Sequence, residues 1–231
     1  MRTSTHGEYL VRLSRFFGTF NAYLVWDEDG LTLIDALMPG DAKAILKVAR
    51  QLGAPIVRIG ITHAHFDHAG ALDALHAALP ESEVAFGARE SRFLTGDLSL
   101  DPDEPEARPK PMDKPCQTKP TRLLRDHESF GPLTVLIVPG HTPGHVAFFD
   151  PRDRTLIVGD AMQAAGGVAV AGSVRPLFPF PALATWHKPS AVESARRMRA
   201  LNPRRLATGH GPVVENPGPA IDRAIERAEG A

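Results

Sequence analysis

Residues 56–70 read Ile56-Val57-Arg58-Ile59-Gly60-Ile61-Thr62-His63-Ala64-His65-Phe66-Asp67-His68-Ala69-Gly70. The first six form a short, mostly apolar run of the kind that makes a buried strand. The run ends in three histidines and one aspartate within six residues, and Leu72, Leu75 and Leu79 then recur at helical spacing before Pro80. Strand, ligand-rich loop and helix is the order in which α/β proteins build sites, because a rigid strand fixes the root of the loop that carries the chemistry. In an extended segment alternate side chains share a direction, so His63 and His65 can point the same way and chelate one ion. Asp67 and His68 fall where the chain bends into a helix and can face a neighbouring position.

The same arrangement recurs downstream. Gly140-His141-Thr142-Pro143-Gly144 follows a strand ending at Val138, Gly159-Asp160 follows one ending at Val158, and Thr208-Gly209-His210-Gly211 closes a strand over 205–208. Glycines beside each candidate ligand let the backbone turn tightly. Five imidazoles (His63, His65, His68, His141, His210) and two carboxylates (Asp67, Asp160) are too many for one tetrahedral ion and suit two. Imidazole and carboxylate accept zinc, iron or manganese. Zinc, which needs no redox partner, is the default expectation.

The flanking sequence predicts an α/β chain. Alternating stretches at 9–15, 21–27 and 31–35 read as strands, the last two joined by the turn Asp27-Glu28-Asp29-Gly30. Asp41 is placed to cap a helix with the stripe Ile45, Val48, Ala49 and Leu52, stopping at Gly53. A strand over 83–86 and a short helix over 88–94 follow. Residues 133–138, 146–149 and 155–158 read as strands, Ser190-Ala191-Val192-Glu193 as a capping box opening a helix to about 201, and 220–228 as a last helix. Between the halves, residues 97–120 hold six prolines and ten charged residues. A loop this long is uncommon unless functional. It is expected to be an insertion, loosely packed or docked over the site, within a single domain over 1–231.

Composition narrows the function. At 231 residues and 43% hydrophobic the chain can bury a sizeable core, which excludes disorder as its main state. A net charge of −1 argues against nucleic acid and anionic membrane as partners and favours a small-molecule substrate. The single cysteine, Cys116, can form neither an internal disulfide nor a cysteine-cluster zinc site, and it fits a reducing compartment. No long apolar run and no signal-peptide core appear, so the expected location is cytoplasmic. A homodimer is compatible with the sequence.

Thr62-His63-Ala64-His65-Phe66-Asp67-His68-Ala69-Gly70, followed in order by Pro139-Gly140-His141-Thr142-Pro143-Gly144-His145, Gly159-Asp160-Ala161 and Thr208-Gly209-His210-Gly211, closely resembles the metallo-β-lactamase-fold hydrolase superfamily. The resemblance covers roughly residues 9–211. It implies an αββα sandwich of two mixed β-sheets flanked by helices, with metals at one edge between the sheets. It also implies that His63, His65 and His141 hold one divalent ion, that Asp67, His68 and His210 hold the other, and that Asp160 bridges both. A hydroxide between the ions is then the nucleophile, with Asp67 orienting it or accepting its proton. The ligand set and size resemble glyoxalase II and N-acyl homoserine lactonases, which points to cleavage of an ester, lactone or thioester.

The sequence departs from both enzymes. Only 21 residues follow His210, where glyoxalase II carries a helical glutathione-binding region, and the only tyrosines, Tyr9 and Tyr23, lie in N-terminal strands rather than near the metals. Alternatives within the fold are an iron-dependent oxidoreductase resembling persulfide dioxygenases and a β-lactamase-type amide hydrolase. An aspartate at the bridging position counts against the latter.

Substrate recognition is expected from the segment after Asp160, where Phe178, Phe180 and Trp186 can form an apolar wall and His187 a polar contact. Asp35, at a strand end, is placed to orient a metal-bound imidazole. His145 is expected to support the site from behind, and Arg196, Arg197 and Arg199 to form a solvated helix face.

Overall fold

A computed structural model describes residues 1–110 and 116–230. Seven strands make the first sheet in chain order: β1 (Arg2–His6), β2 (Leu10–Arg15), β3 (Phe20–Asp27), β4 (Gly30–Ile34), β5 (Ile56–Ile61), β6 (Glu83–Gly87) and β7 (Arg122–Leu124). The pairs from β1 to β4 are antiparallel and those from β4 to β7 are parallel. The second sheet contains β8 (Ser129–Phe130), β9 (Leu133–Ile137), β10 (Val146–Asp150) and β11 (Thr155–Ile157). A small ribbon of β12 (Met162–Gln163) and β13 (Ala169–Val170) follows. The second sheet resumes with β14 (Arg205–Ala207) and β15 (Val214–Glu215), giving the order β15-β14-β11-β10-β9-β8.

The alternation of each strand sorts its side chains into layers. In β3, Ala22 and Leu24 face the helices α1 (Ala42–Leu52), α2 (Phe66–Ala69) and α3 (Leu72–Ala78), meeting Ile45, Leu72 and Leu75. Tyr23 and Val25 face inward and join Phe130, Val135, Phe148 and Ile157 from the second sheet. In that sheet Leu136, Ala147, Leu156 and Leu206 point outward. Beyond the short helix α4 (Phe180–Leu183), they meet Ala195 and Met198 of α5 (Lys188–Ala200) and Ile221 and Ala224 of α6 (Gly218–Glu229). Helix, sheet, sheet and helix layers therefore enclose three apolar interfaces, which is the expected αββα sandwich of two mixed sheets.

Three local expectations are corrected. Asp41 makes no side-chain cap; it pairs with Arg15 at 3.0 Å and accepts from the Met38 amide at 3.3 Å. The predicted capping box does not form. Helix α5 starts two residues before Ser190, capped by His187, whose ring accepts the Ser190 amide at 3.3 Å. Pro189 fits that earlier first turn because it has no N–H to leave unpaired. The short helix at 88–94 is a 3-10 turn over Glu90–Thr95.

The insertion over 97–120 is fastened at both described ends. Arg89 grips Glu104 with two bonds of 2.7 Å, Arg92 pairs with Asp101 at 2.6 Å, and Asp73 accepts the amides of Gln117 and Thr118. Its residues 111–115 lie outside the described part. Among the described residues no helix is long and apolar enough to cross a membrane.

Candidate metal centre

The four ligand-bearing loops meet at one edge of the sandwich. His63 Nε2 and His141 Nε2 each approach His65 Nδ1 to 3.0 Å. Asp67 Oδ2 lies 3.4 Å from His210 Nε2 and 3.8 Å from His68 Nε2. Asp160 stands between the two groups: Oδ1 is 3.3 Å from His68 Nε2, and Oδ2 is 3.1 Å from His210 Nε2 and 3.6 Å from His141 Nε2. His63, His65 and His141 thus form one trio and Asp67, His68 and His210 a second, with donor atoms within 4.8 Å of one another in each. The backbone comes close here as well. A Cβ at Gly209 would lie 2.5 Å from Asp160 Oδ1 and 2.5 Å from the His68 ring, so only glycine lets this loop cross.

The outer nitrogens of His63, His68, His141 and His210 are tied down, which fixes the tautomer and turns the inner nitrogen toward the site. His68 Nδ1 donates to Asp35 Oδ2 at 2.8 Å and His210 Nδ1 to the Thr19 carbonyl at 3.0 Å. Thr62 donates its hydroxyl to Asp35, so it accepts from His63 Nδ1 at 3.1 Å. Thr185 donates to the Pro181 carbonyl and likewise accepts from His141 Nδ1 at 3.2 Å. The Lys110 backbone lies beside the His65 ring and favours its charged form. Asp35, expected to orient an imidazole, does hold the His68 ring, from a left-handed φ of 64°. His145 stacks on His63 at 4.9 Å and accepts the Asp160 amide at 3.2 Å.

Lone-pair nitrogens and carboxylates converging out of contact with water are an arrangement that protein alone satisfies poorly. His68 Nε2 and Asp160 Oδ1 are buried without a hydrogen-bond partner. Burial, joined by the neighbouring histidines, drives the pKa values of His63 and His141 well below the usual range. Burial opposes the charged form of His68 too, yet Asp160, Asp35 and Asp67 hold its pKa well above the usual value. Burial likewise penalises the Asp160 carboxylate, but His210 and His68 beside it keep its pKa well below the ordinary carboxylate range. The donor set fits divalent cations in both trios.

A cavity of about 380 Å³ opens onto this edge. His65, Asp67, Asp160 and His210 line it together with Phe20, Phe66, Phe178, Phe180, Pro181, Ala184 and Lys110. Phe20 and Phe178 touch the His210 ring at 5.1 and 4.8 Å between centroids.

Two expected lining residues lie elsewhere. Trp186 is 7% exposed and donates its indole N–H to the Ala107 carbonyl, pinning the insertion, while His187 is occupied as the α5 cap. Tyr23 is fully buried with its hydroxyl on the Thr208 carbonyl. Arg196, Arg197 and Arg199 all pair with carboxylates on the surface. Sequence reasoning missed Phe20, which heads β3 directly after the carbonyl that holds His210. It also missed Glu90, wholly buried, whose pKa burial raises to about 7.

The profile of the Metallo-beta-lactamase superfamily matches residues 17–210, and the chain belongs to that superfamily of metallo-hydrolases. Among relatives, it is 45% identical over 210 residues to the uncharacterized protein YobT of Bacillus subtilis (strain 168), covering 90% of each chain. It is 30% identical over 159 residues to a hydroxyacylglutathione hydrolase of Maricaulis maris (strain MCS10), covering 69% of this chain and about half (54%) of that enzyme. A solved structure of TTHA1623 in a di-iron-bound form superposes with a TM-score of 0.68 at 29% identity, covering 90% of this chain and 96% of that one.

Proposed function

We propose that the protein is a dinuclear metal-dependent hydrolase that cleaves an ester, lactone or thioester carrying an apolar group. The observation that carries this reading is the pair of trios with Asp160 between them, opening onto a cavity whose lining is rich in phenylalanine. Divalent ions bound there would lower the pKa of water to about 7 and polarise a substrate carbonyl.

The remaining work falls to side chains. Asp67, on the cavity wall beside His68 and His210, orients the attacking water and takes up its proton. Asp160 separates and neutralises the two cationic sites. Phe20, Phe178 and Phe180 exclude solvent and seat the apolar part of the substrate against the His210 side. Zinc is the proposed metal. The di-iron form of TTHA1623 supports iron as the alternative in the same donors. The hydroxyacylglutathione hydrolase relative supports the thioester class.

The test is a panel of lactones, aryl esters, thioesters and a β-lactam offered to the metal-loaded protein and to Asp67→Asn. The expected result is turnover in the first three classes that a chelator abolishes. The Asn variant should lose at least ~10² in kcat, as expected for a lost general base, with KM within a few-fold. Parental turnover by a fully loaded Asp67→Asn protein would remove Asp67 from the mechanism, and turnover of the β-lactam alone would overturn the substrate class.

A further inference from the structure

Glu90 sits at the start of the 3-10 turn after β6, fully buried, and is none of the seven converging donors. Its Oε1 accepts the Ala64 amide at 2.8 Å. Its Oε2 accepts the Thr142 hydroxyl at 2.7 Å and the Gly144 amide at 3.1 Å. Ala64 lies between His63 and His65, and Thr142 follows His141. One carboxylate therefore clamps together the loop after β5, in the first sheet, and the loop after β9, in the second.

Between them these two loops supply all three donors of the first trio. The contact is close: a Cβ at Gly144 would lie 2.1 Å from the Glu90 amide nitrogen, so the second loop rests directly on the turn. None of the three bonds to Glu90 comes from a residue of the second trio, whose His68 ring is held by Asp35 and His210 ring by the Thr19 carbonyl.

We propose that Glu90 is a positioning residue for one metal site only: it fixes the separation of His63 and His65 from His141, and with it the affinity of the first trio for a divalent cation. The proposal rests on the reading of the trios as metal sites. Its physical basis is that three donors point at two carboxylate oxygens. An amide of the same shape keeps one accepting oxygen and sets an N–H₂ against a donor, which leaves a buried group unpaired. The clamp acts on loop backbone and on one hydroxyl, so its loss shifts the spacing of the trio without removing any ligand.

The experiment titrates Co²⁺ into the metal-free parent, Glu90→Gln, Thr142→Val and Thr142→Ser, reading stoichiometry by calorimetry and ligand field by visible absorption. Melting temperatures establish that each variant is folded. The parent should bind two Co²⁺. Glu90→Gln should bind one as the parent does and the other ~10–100-fold more weakly, in line with losses of outer-shell support at metal sites. Only the absorption of the weakened site should change, and kcat should fall with KM within a few-fold. Thr142→Val should show the same selective weakening to a smaller degree, and Thr142→Ser, which keeps the hydroxyl, should restore parental binding.

Two outcomes overturn the role of Glu90: parental affinity for both ions in folded Glu90→Gln, or equal weakening of both. If Glu90→Gln does not fold, the Thr142 pair decides, and identical behaviour of Val and Ser overturns the proposal. A parent that binds fewer than two Co²⁺ overturns the metal-centre reading itself, so the two failures are distinguishable.

Discussion

The two donor trios lie side by side and are built on opposite principles. The first, His63, His65 and His141, is all imidazole, and burial keeps His63 and His141 uncharged. It is held from outside through loop backbone by Glu90, with the backbone of Lys110, within the insertion, beside His65. The second, Asp67, His68 and His210, carries its own carboxylate. It is held by atoms of the first sheet and its edges, Asp35 at the end of β4 and Thr19 before β3. The first trio has no carboxylate among its own donors and draws on Asp160 and on Asp67 near His65, whereas the second trio includes Asp67 and has Asp35 hydrogen-bonded behind His68. The lesson is that charge compensation is unequal, so Asp160 carries more of it for the first site than for the second.

Removing the shared group gives the largest expected effect and tests that inequality. Asp160→Ala should lower kcat/KM by more than the ~10² that outer-shell losses typically cost, because it removes a ligand and leaves two dications unscreened. Elemental analysis should then find the first site emptier than the second. Retention of two ions with parental turnover would contradict the bridging role, and preferential loss from the second trio would reverse the comparison.

A smaller effect separates the trios from the other side. Asp35→Asn keeps the shape but not the charge that faces His68 Nδ1 and the Thr62 amide and hydroxyl. It should weaken the second site ~10–100-fold while the first keeps its ion. Competition with a metal-sensitive dye measures both affinities at once. Equal weakening would show that Asp35 acts on the first trio through Thr62 and His63.

Much of this was legible in the sequence because strand, glycine and ligand fall together at four places; that coincidence announces an α/β chain whose loops gather the ligands, and the family resemblance of those motifs implies the sandwich. What stayed hidden has physical causes. Strand β1, Arg2-Thr3-Ser4-Thr5-His6, is an exposed edge with no apolar alternation, held by pairing to β2 alone. Glu90 reads like any surface glutamate, since nothing in Ala88-Arg89-Glu90-Ser91 tells that three buried donors await it. Trp186 and His187 follow Asp160 closely enough to suggest a wall. Proximity in sequence does not say which face a side chain takes, and both turn to structural duties. Phe178 and Phe180, from the same stretch, do line the cavity.

The smallest expected effect concerns the insertion, which touches the first trio through Lys110 and is tied down at its far end by Asp73. That carboxylate accepts from Gln117, Thr118 and the Cys116 thiol. Partial burial works against it, but those donors hold its pKa down to about 2, against an ordinary 3.8. A carboxyl group with a depressed folded-state pKa contributes stability that is fully present above the unfolded value and is lost as the pH falls from about 4 toward about 2. Since Asp73 is largely solvent-facing, the contribution is discounted to ~1 kcal/mol. In a chain of this length that is worth about 2–4 °C in melting temperature. Asp73→Asn should therefore melt a few degrees below the parent at pH 6, measured on metal-free protein so that ligand protonation does not intervene, and the gap should narrow below pH 4. In the metal-loaded protein the same variant should loosen the first trio slightly and leave the second untouched. A gap that persists unchanged at low pH would mean that Asp73 holds the insertion by shape rather than by charge.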